Sequence, residues 1–99
     1  MPQQNLGIIQ NISQKGILIK VSQPVKYNYV EIDFEDIQGK KLEINGKVIY
    51  CRKNPLDHYE IGIKLLGLED QNIDFVKALA LYLQTENMPK IKISGYQVQ

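Results

Sequence analysis

A small, mainly β domain is what this 99-residue sequence predicts: a barrel or sandwich of short antiparallel strands with one helix packed on it. Three observations lead there. Apolar and polar residues alternate with period two along most of the chain, the mark of strands with one face in a core and one in water. Turn-forming clusters separate these runs at short intervals, as in small all-β domains. The period then changes to a helical one after Leu66-Gly67-Leu68.

The elements follow in order. Leu6 to Ser13 is the first strand. The stretch Gly7 to Lys20 holds two apolar runs, Ile8-Ile9 and Ile17-Leu18-Ile19, split by the polar interruption Asn11 to Gly16. Ile17, Ile19 and Val21 line one face of the second strand, which Ser22-Gln23-Pro24 ends, because proline offers no ladder donor. In Val30 to Glu35 the apolar residues share one face and the acids the other. Leu42 to Arg52 reads as one long strand with an irregularity at Asn45-Gly46, a dipeptide that signals either a hairpin or a bulge. Tyr59, Ile61, Ile63 and Leu65 line a further strand face. Ile37 to Lys40 and Asn54 to Asp57 are turns. Phe75, Leu79 and Tyr82 or Leu83 then recur at helical spacing over residues 70–84, with Asp70 as N-cap and Asp74 near the positive end of the helix dipole. Burying Phe75, Val76, Leu79 and Leu83 is worth roughly 1.5–3 kcal/mol each, as an upper estimate.

Composition narrows the function classes. The chain is 43% hydrophobic with net charge +1, and charges of both signs are interspersed. No polybasic surface points to DNA, and no apolar segment is long enough for membrane insertion. One cysteine, Cys51, forms no internal disulfide, and no signal peptide is visible, so a reducing cytoplasm is the expected compartment. One His and one Cys give no metal-ligand cluster, and Glu31, Asp33 and Glu35 read as the wet face of a strand. Ser13, Asp57 and His58 do not make a hydrolase triad. Asp57 and His58 are adjacent, hence on opposite strand faces, and no Gly-x-Ser-x-Gly elbow is present. Neither catalytic nor metal residues are expected. Eleven of the twelve basic residues are Lys; Arg52 alone is Arg. Arg52 reads either as half of a surface ion pair or as part of a ligand rim.

In the interruption, side chains two apart share a strand face, so Asn11 and Ser13 point the same way. Gly16 gives the freedom to reverse the chain, positive φ included. The amide and hydroxyl either meet a phosphate or base edge, or cap the turn's own backbone.

The order Asn11-x-Ser13-x-x-Gly16, apolar strand, acidic strand, long strand ending Val48-Ile49-Tyr50-Cys51-Arg52-Lys53, strand Tyr59 to Leu65 and amphipathic helix resembles a PilZ domain over residues 6 to about 84. Asp/Asn-x-Ser-x-x-Gly is that family's signature, and Ile61-Gly62-Ile63-Lys64-Leu65 matches its late hydrophobic-Gly-hydrophobic-x-Phe strand, with Leu for Phe. The resemblance implies a six-stranded, or incomplete, antiparallel PilZ-like β-barrel with one C-terminal helix. The PilZ-like domain spans residues 1–85 (strands about 6–66, helix about 70–84). Residues 86–99 form a tail with a candidate short strand at 90–94.

The resemblance also implies a receptor-type module for the bacterial second messenger cyclic di-GMP, with a ligand site at Asn11, Ser13, Gly16 and Gly62. Family members carry an Arg-x-x-x-Arg motif upstream of the Asn-x-Ser-x-x-Gly turn. Arg grips guanine O6 and N7 with two bonds and stacks on bases; Lys does neither. Ten residues precede Asn11 here and none is basic, and a chain with one Arg cannot contain the motif. The site is therefore degenerate, and the expected role is a non-enzymatic regulatory adaptor, needing no cofactor, that contacts another bacterial regulatory, motility or secretion protein. The alternative is a genuine cyclic di-GMP receptor whose arginines come from a further N-terminal segment or a partner. The strand that would carry the arginines is expected to be short, leaving an open sheet edge for the tail strand, a homodimer or a partner.

Overall fold

The computed structural model describes residues 3–13, 15–85 and 88–96. Strands β1 (Gln3–Ile12), β2 (Gly16–Val21), β3 (Tyr29–Glu35), β4 (Lys41–Lys53) and β5 (Tyr59–Leu65) precede helix α1 (Glu69–Leu83), and β6 (Ile91–Tyr96) follows it. All neighbouring strands are antiparallel, and the sheet closes on itself in the order β1-β2-β5-β4-β3-β6.

The alternating segments behave as their patterns dictate. Ile17, Ile19 and Val21, then Val30, Ile32 and Phe34, then Ile61, Ile63 and Leu65 all face the barrel interior and are buried. Isoleucine dominates this core, as suits a β-branched side chain on a pleated surface. Val25, from the β2–β3 connection, joins the core. The helix supplies Phe75 and Leu79, and the Phe75 ring meets Phe34 edge-on, with centroids 5.1 Å apart.

Two turns are held by side-chain acceptors. Asp36 Oδ1 accepts the N–H of Gln38 (2.9 Å) and of Lys40 (2.8 Å), while Gly39 takes a φ of 83°. Asn54 Oδ1 accepts the N–H of Leu56 (2.9 Å) and of His58 (3.0 Å).

Several local expectations change. The helix N-cap is Leu68, not Asp70. Gln71 Oε1 accepts the Leu68 N–H at 3.0 Å, and Asp70 falls with Glu69 in the first turn, where its charge still suits the dipole. β1 is a full ten-residue strand rather than a short one. Its free side is covered by β6, which pairs with β1 through Gln3↔Gly95 to Gly7↔Ile91 and with β3 through Tyr29↔Tyr96 to Asp33↔Lys92. No sheet edge is left open. The chain from Ile91 onward is thus a stave of the barrel, with Ile91 and Ile93 fully buried.

The irregularity of β4 is not at Asn45-Gly46, which pairs regularly with Glu31 and Val30. Gly46 is small because a Cβ there would lie 2.4 Å from Ile63 Cγ2, inside the core. The register breaks instead between Val48 and Tyr50 against β5, and in β1 between Ile9 and Asn11 against β2. Gln10 and Ile49 are the extra residues. Each inserts one step into a period-two pattern, which turns every later side chain to the other face.

Candidate functional site

The two register breaks build a surface. Without the extra Gln10, Asn11 would follow Gly7 and Ile9 into the core; with it, Asn11 faces out. Without the extra Ile49, Tyr50 would follow Val48 inward; with it, the Tyr50 ring lies on the outside of the barrel. The pairings Asn11↔Leu18, Leu18↔Gly62 and Gly62↔Tyr50 then set these four residues in one transverse row over β1, β2, β5 and β4. Ser13 and Gly16 lie at the end of the row, in the β1–β2 turn.

A concavity of about 460 Å³ follows this row. The four residues singled out in the sequence, Asn11, Ser13, Gly16 and Gly62, all line it. Most of its remaining wall is apolar: Ile12, Leu18, Ile49, Tyr50 and Ile63. Lys15 and Lys64 supply its charge, and no carboxylate lines it.

The polar groups of the Ser13–Gly16 turn engage one another. The Ser13 N–H donates to the Gly16 carbonyl oxygen at 2.9 Å, the Gly16 N–H donates to Ser13 Oγ at 3.2 Å, and Ser13 Oγ lies 3.3 Å from the Gly16 oxygen as a donor. The hydroxyl therefore closes its own turn. Gly16 does not use positive φ. It is required because a Cβ would stand 2.8 Å from the Ile63 carbonyl oxygen, where β2 runs against β5. The Asn11 side chain is exposed and makes no hydrogen bond among the described residues.

Tyr50 and Arg52 are the contributors that the sequence reading passed over or left undecided. A Cβ on Gly62 would lie 2.3 Å from a Tyr50 ring carbon, so the bare glycine backbone is the bed on which the ring rests. The Arg52 guanidinium sits 5.3 Å from the Tyr50 ring centroid, and its Nε is 3.2 Å from Glu60 Oε1. Arg52 is thus held in a surface ion pair and over an aromatic face, and it does not line the groove. The sequence signal for Tyr50 was an aromatic residue able to cover a cross-strand glycine.

Ser13 and His58 belong to opposite ends of β5: Gly16 pairs with Lys64, whereas His58 precedes Tyr59. At the rise of a strand they are roughly 15–20 Å apart. Asp57 pairs with Lys53 at 3.2 Å rather than with His58.

An acidic cluster lies apart from the groove, on β3 and β4. Glu31, Asp33 and Glu43 bring carboxylate oxygens within 4.8 Å of one another on the outside of β3 and β4. A cluster of exposed acids is ordinary without a metal, and Lys92 lies beside Asp33 in register. A larger concavity on that side, about 760 Å³, carries Asp33, Glu35, Asp36 and Glu43 against Lys41, Lys90 and Lys92, so most of its charge is compensated internally. Burial first, and then Asp33, raise the Glu31 carboxyl above its ordinary value. The folded protein therefore holds this proton more tightly than the unfolded chain. The group contributes stability at acid pH that is lost as pH rises through its folded range. Glu31→Gln is expected to be more stable than the parent near about pH 7, by less than about 1 kcal/mol. The gap should narrow as the pH is lowered towards about pH 4 and the parent takes up the proton. Urea melts at the two pH values check this.

The family model for the PilZ domain matches residues 2–82, a span that takes in β1 to β5 and nearly all of the helix. That family consists of binding domains rather than catalysts. β6 lies beyond the matched span. No curated protein and no solved structure is matched by the chain. Among the described residues, no helix is long and apolar enough to cross a membrane.

Proposed function

Because the chain belongs to the PilZ domain family, we propose that it is a non-enzymatic regulatory module of bacterial cyclic di-GMP signalling. It works in the cytoplasm by contact with another protein and holds cyclic di-GMP weakly or not at all by itself. The observation that carries this reading is the lining of the groove. The signature residues Asn11, Ser13, Gly16 and Gly62 are gathered there, but the cations beside them are Lys15 and Lys64, and the walls are aliphatic. Ammonium groups neutralise a phosphate but do not make the paired, planar contact that guanine O6 and N7 ask for. Arg52, the one guanidinium, is engaged by Glu60 and Tyr50.

Calorimetric titration of the chain with cyclic di-GMP is the test. The expected result is no saturable heat at micromolar ligand. One-to-one or two-to-one binding at micromolar or tighter Kd would falsify the reading.

The free Asn11 amide supports a second reading, in which the chain is a receptor completed by arginines from a further N-terminal segment or a partner subunit. Under that reading the same titration gains saturable binding when an Arg-bearing upstream segment is added.

A further inference from the structure

The groove sits within a surface whose charge is mostly positive. Lys64 pairs across the sheet with Lys47 on one side of the Asn11–Tyr50 row, and Lys15 stands at the turn. On the other side lie Lys20 and Arg52, both opposite Glu60, the acid already bound by Arg52. No ion pair engages Lys15, Lys20, Lys47 or Lys64 among the described residues. Between these flanks the surface is apolar. Ile49 is 59% exposed and Tyr50 41%, and Leu18 lies between them and β1. Ile8, 42% exposed, is the diagonal neighbour of Leu18, and Leu6 continues the strip along β1. An aliphatic and aromatic strip, walled by free lysines and with the flanking Glu60 held by Arg52, is a poor fit to water and to a polar nucleotide.

We propose that this groove seats a segment of a partner protein that carries apolar side chains flanked by Asp or Glu, as on an amphipathic helix. The proposal rests on the reading of the chain as a protein-contact module and names the chemistry of that contact. Burial of the partner's apolar residues against Leu18, Ile49 and Tyr50 supplies the affinity. Lys15, Lys47, Lys64 and Lys20 select the acidic flanks and speed the encounter. The placement of the acidic cluster reinforces the choice, because none of Glu31, Asp33 and Glu43 lines the groove.

The probes are two synthetic peptides of about eighteen residues, identical in a leucine stripe of helical period, one with glutamates and one with lysines on its flanks. Each is titrated into the full chain while amide NMR signals are followed. The glutamate peptide is expected to bind at least about tenfold more tightly than the lysine peptide, with shifts centred on Leu18, Ile49, Tyr50 and Gly62. The Lys15→Glu/Lys64→Glu double variant should reverse that preference. These two side chains are exposed, so the variant tests charge rather than folding. Ile49→Ser should weaken both peptides. Equal affinities, no shifts with either peptide at about millimolar concentration, or shifts centred on the β3 face would overturn the proposal. So would concentration-dependent shifts of the same residues without peptide, which would assign the groove to a second copy through its exposed Leu68-Glu69-Asp70. Cyclic di-GMP is titrated in parallel. Micromolar binding there sinks the parent reading, whereas a failure of the peptides alone sinks only this one.

Discussion

A chain ending at Gln84 is expected to show no cooperative unfolding transition by circular dichroism, whereas the 99-residue chain should melt sharply. The truncation keeps all of the span that matches the family model, 2–82, and removes β6. With β6 go Ile91 and Ile93, both fully buried, at about 1.5–3 kcal/mol each. The loss also strips the hydrogen-bonding partners from β1 and β3, which β6 joins along five residue pairs on either side. A typical domain has only about 5–15 kcal/mol of net stability, so the sum of these losses is on the scale of the whole. Lys92→Ala is the matched control. Its side chain is exposed, and its replacement should leave the melt within about 0.5 kcal/mol of the parent. A truncated chain that melts cooperatively near the parent's midpoint would show that five strands and the helix suffice.

Phe75→Ala is expected to lower the unfolding free energy by about 3–5 kcal/mol, the range for deleting a large buried aromatic side chain. Phe75 is 3% exposed and is one of the two buried residues with which α1 enters the barrel core, the other being Leu79. Removing it forfeits both the burial and the edge-on contact with Phe34. The hole cannot collapse easily, because Phe34 is anchored in β3 and the helix is tied to the barrel by the short run after β5. Leu81, on the same helix but half exposed, should cost less than about 0.5 kcal/mol when changed to Ala. Urea melts of the two variants separate anchoring from propensity. If Leu81→Ala matched Phe75→Ala, the helix would owe its place to something other than the Phe75 insertion.

Much of the fold was legible because its physics is local. Val30 to Glu35 alternates so regularly that only one face can be buried, and Phe75 and Leu79 stand one helical turn apart. The candidate site was legible only in part, because its residue types are local but its orientation is not. An added residue such as Gln10 or Ile49 leaves no compositional trace. The pattern before it and the pattern after it each look regular, and only the partner strand reveals that the phase has shifted. Asn45-Gly46 has the chemistry of an irregular turn and so drew attention away from Ile49, although Gly46 answers to the packing of Ile63. Gly16 likewise answers to the Ile63 carbonyl rather than to a left-handed turn. The tail alternation Lys90 to Ile93 announced a strand, but nothing in those residues says that β1 and β3 are its neighbours. Arg52 could be assigned to an ion pair only once Glu60 was seen opposite it.

The position of β6 also sets a schedule. Its pairing with β1 joins residues from the two extremes of the chain, with Gln3 against Gly95. Contacts this remote carry the largest loop-closure cost and are associated with slow folding. During synthesis β6 leaves the ribosome after every other stave of the barrel. Until then β1 and β3 present bare amides to their surroundings. The nascent polypeptide must remain soluble through that interval, and its cylinder is completed only once β6 has emerged.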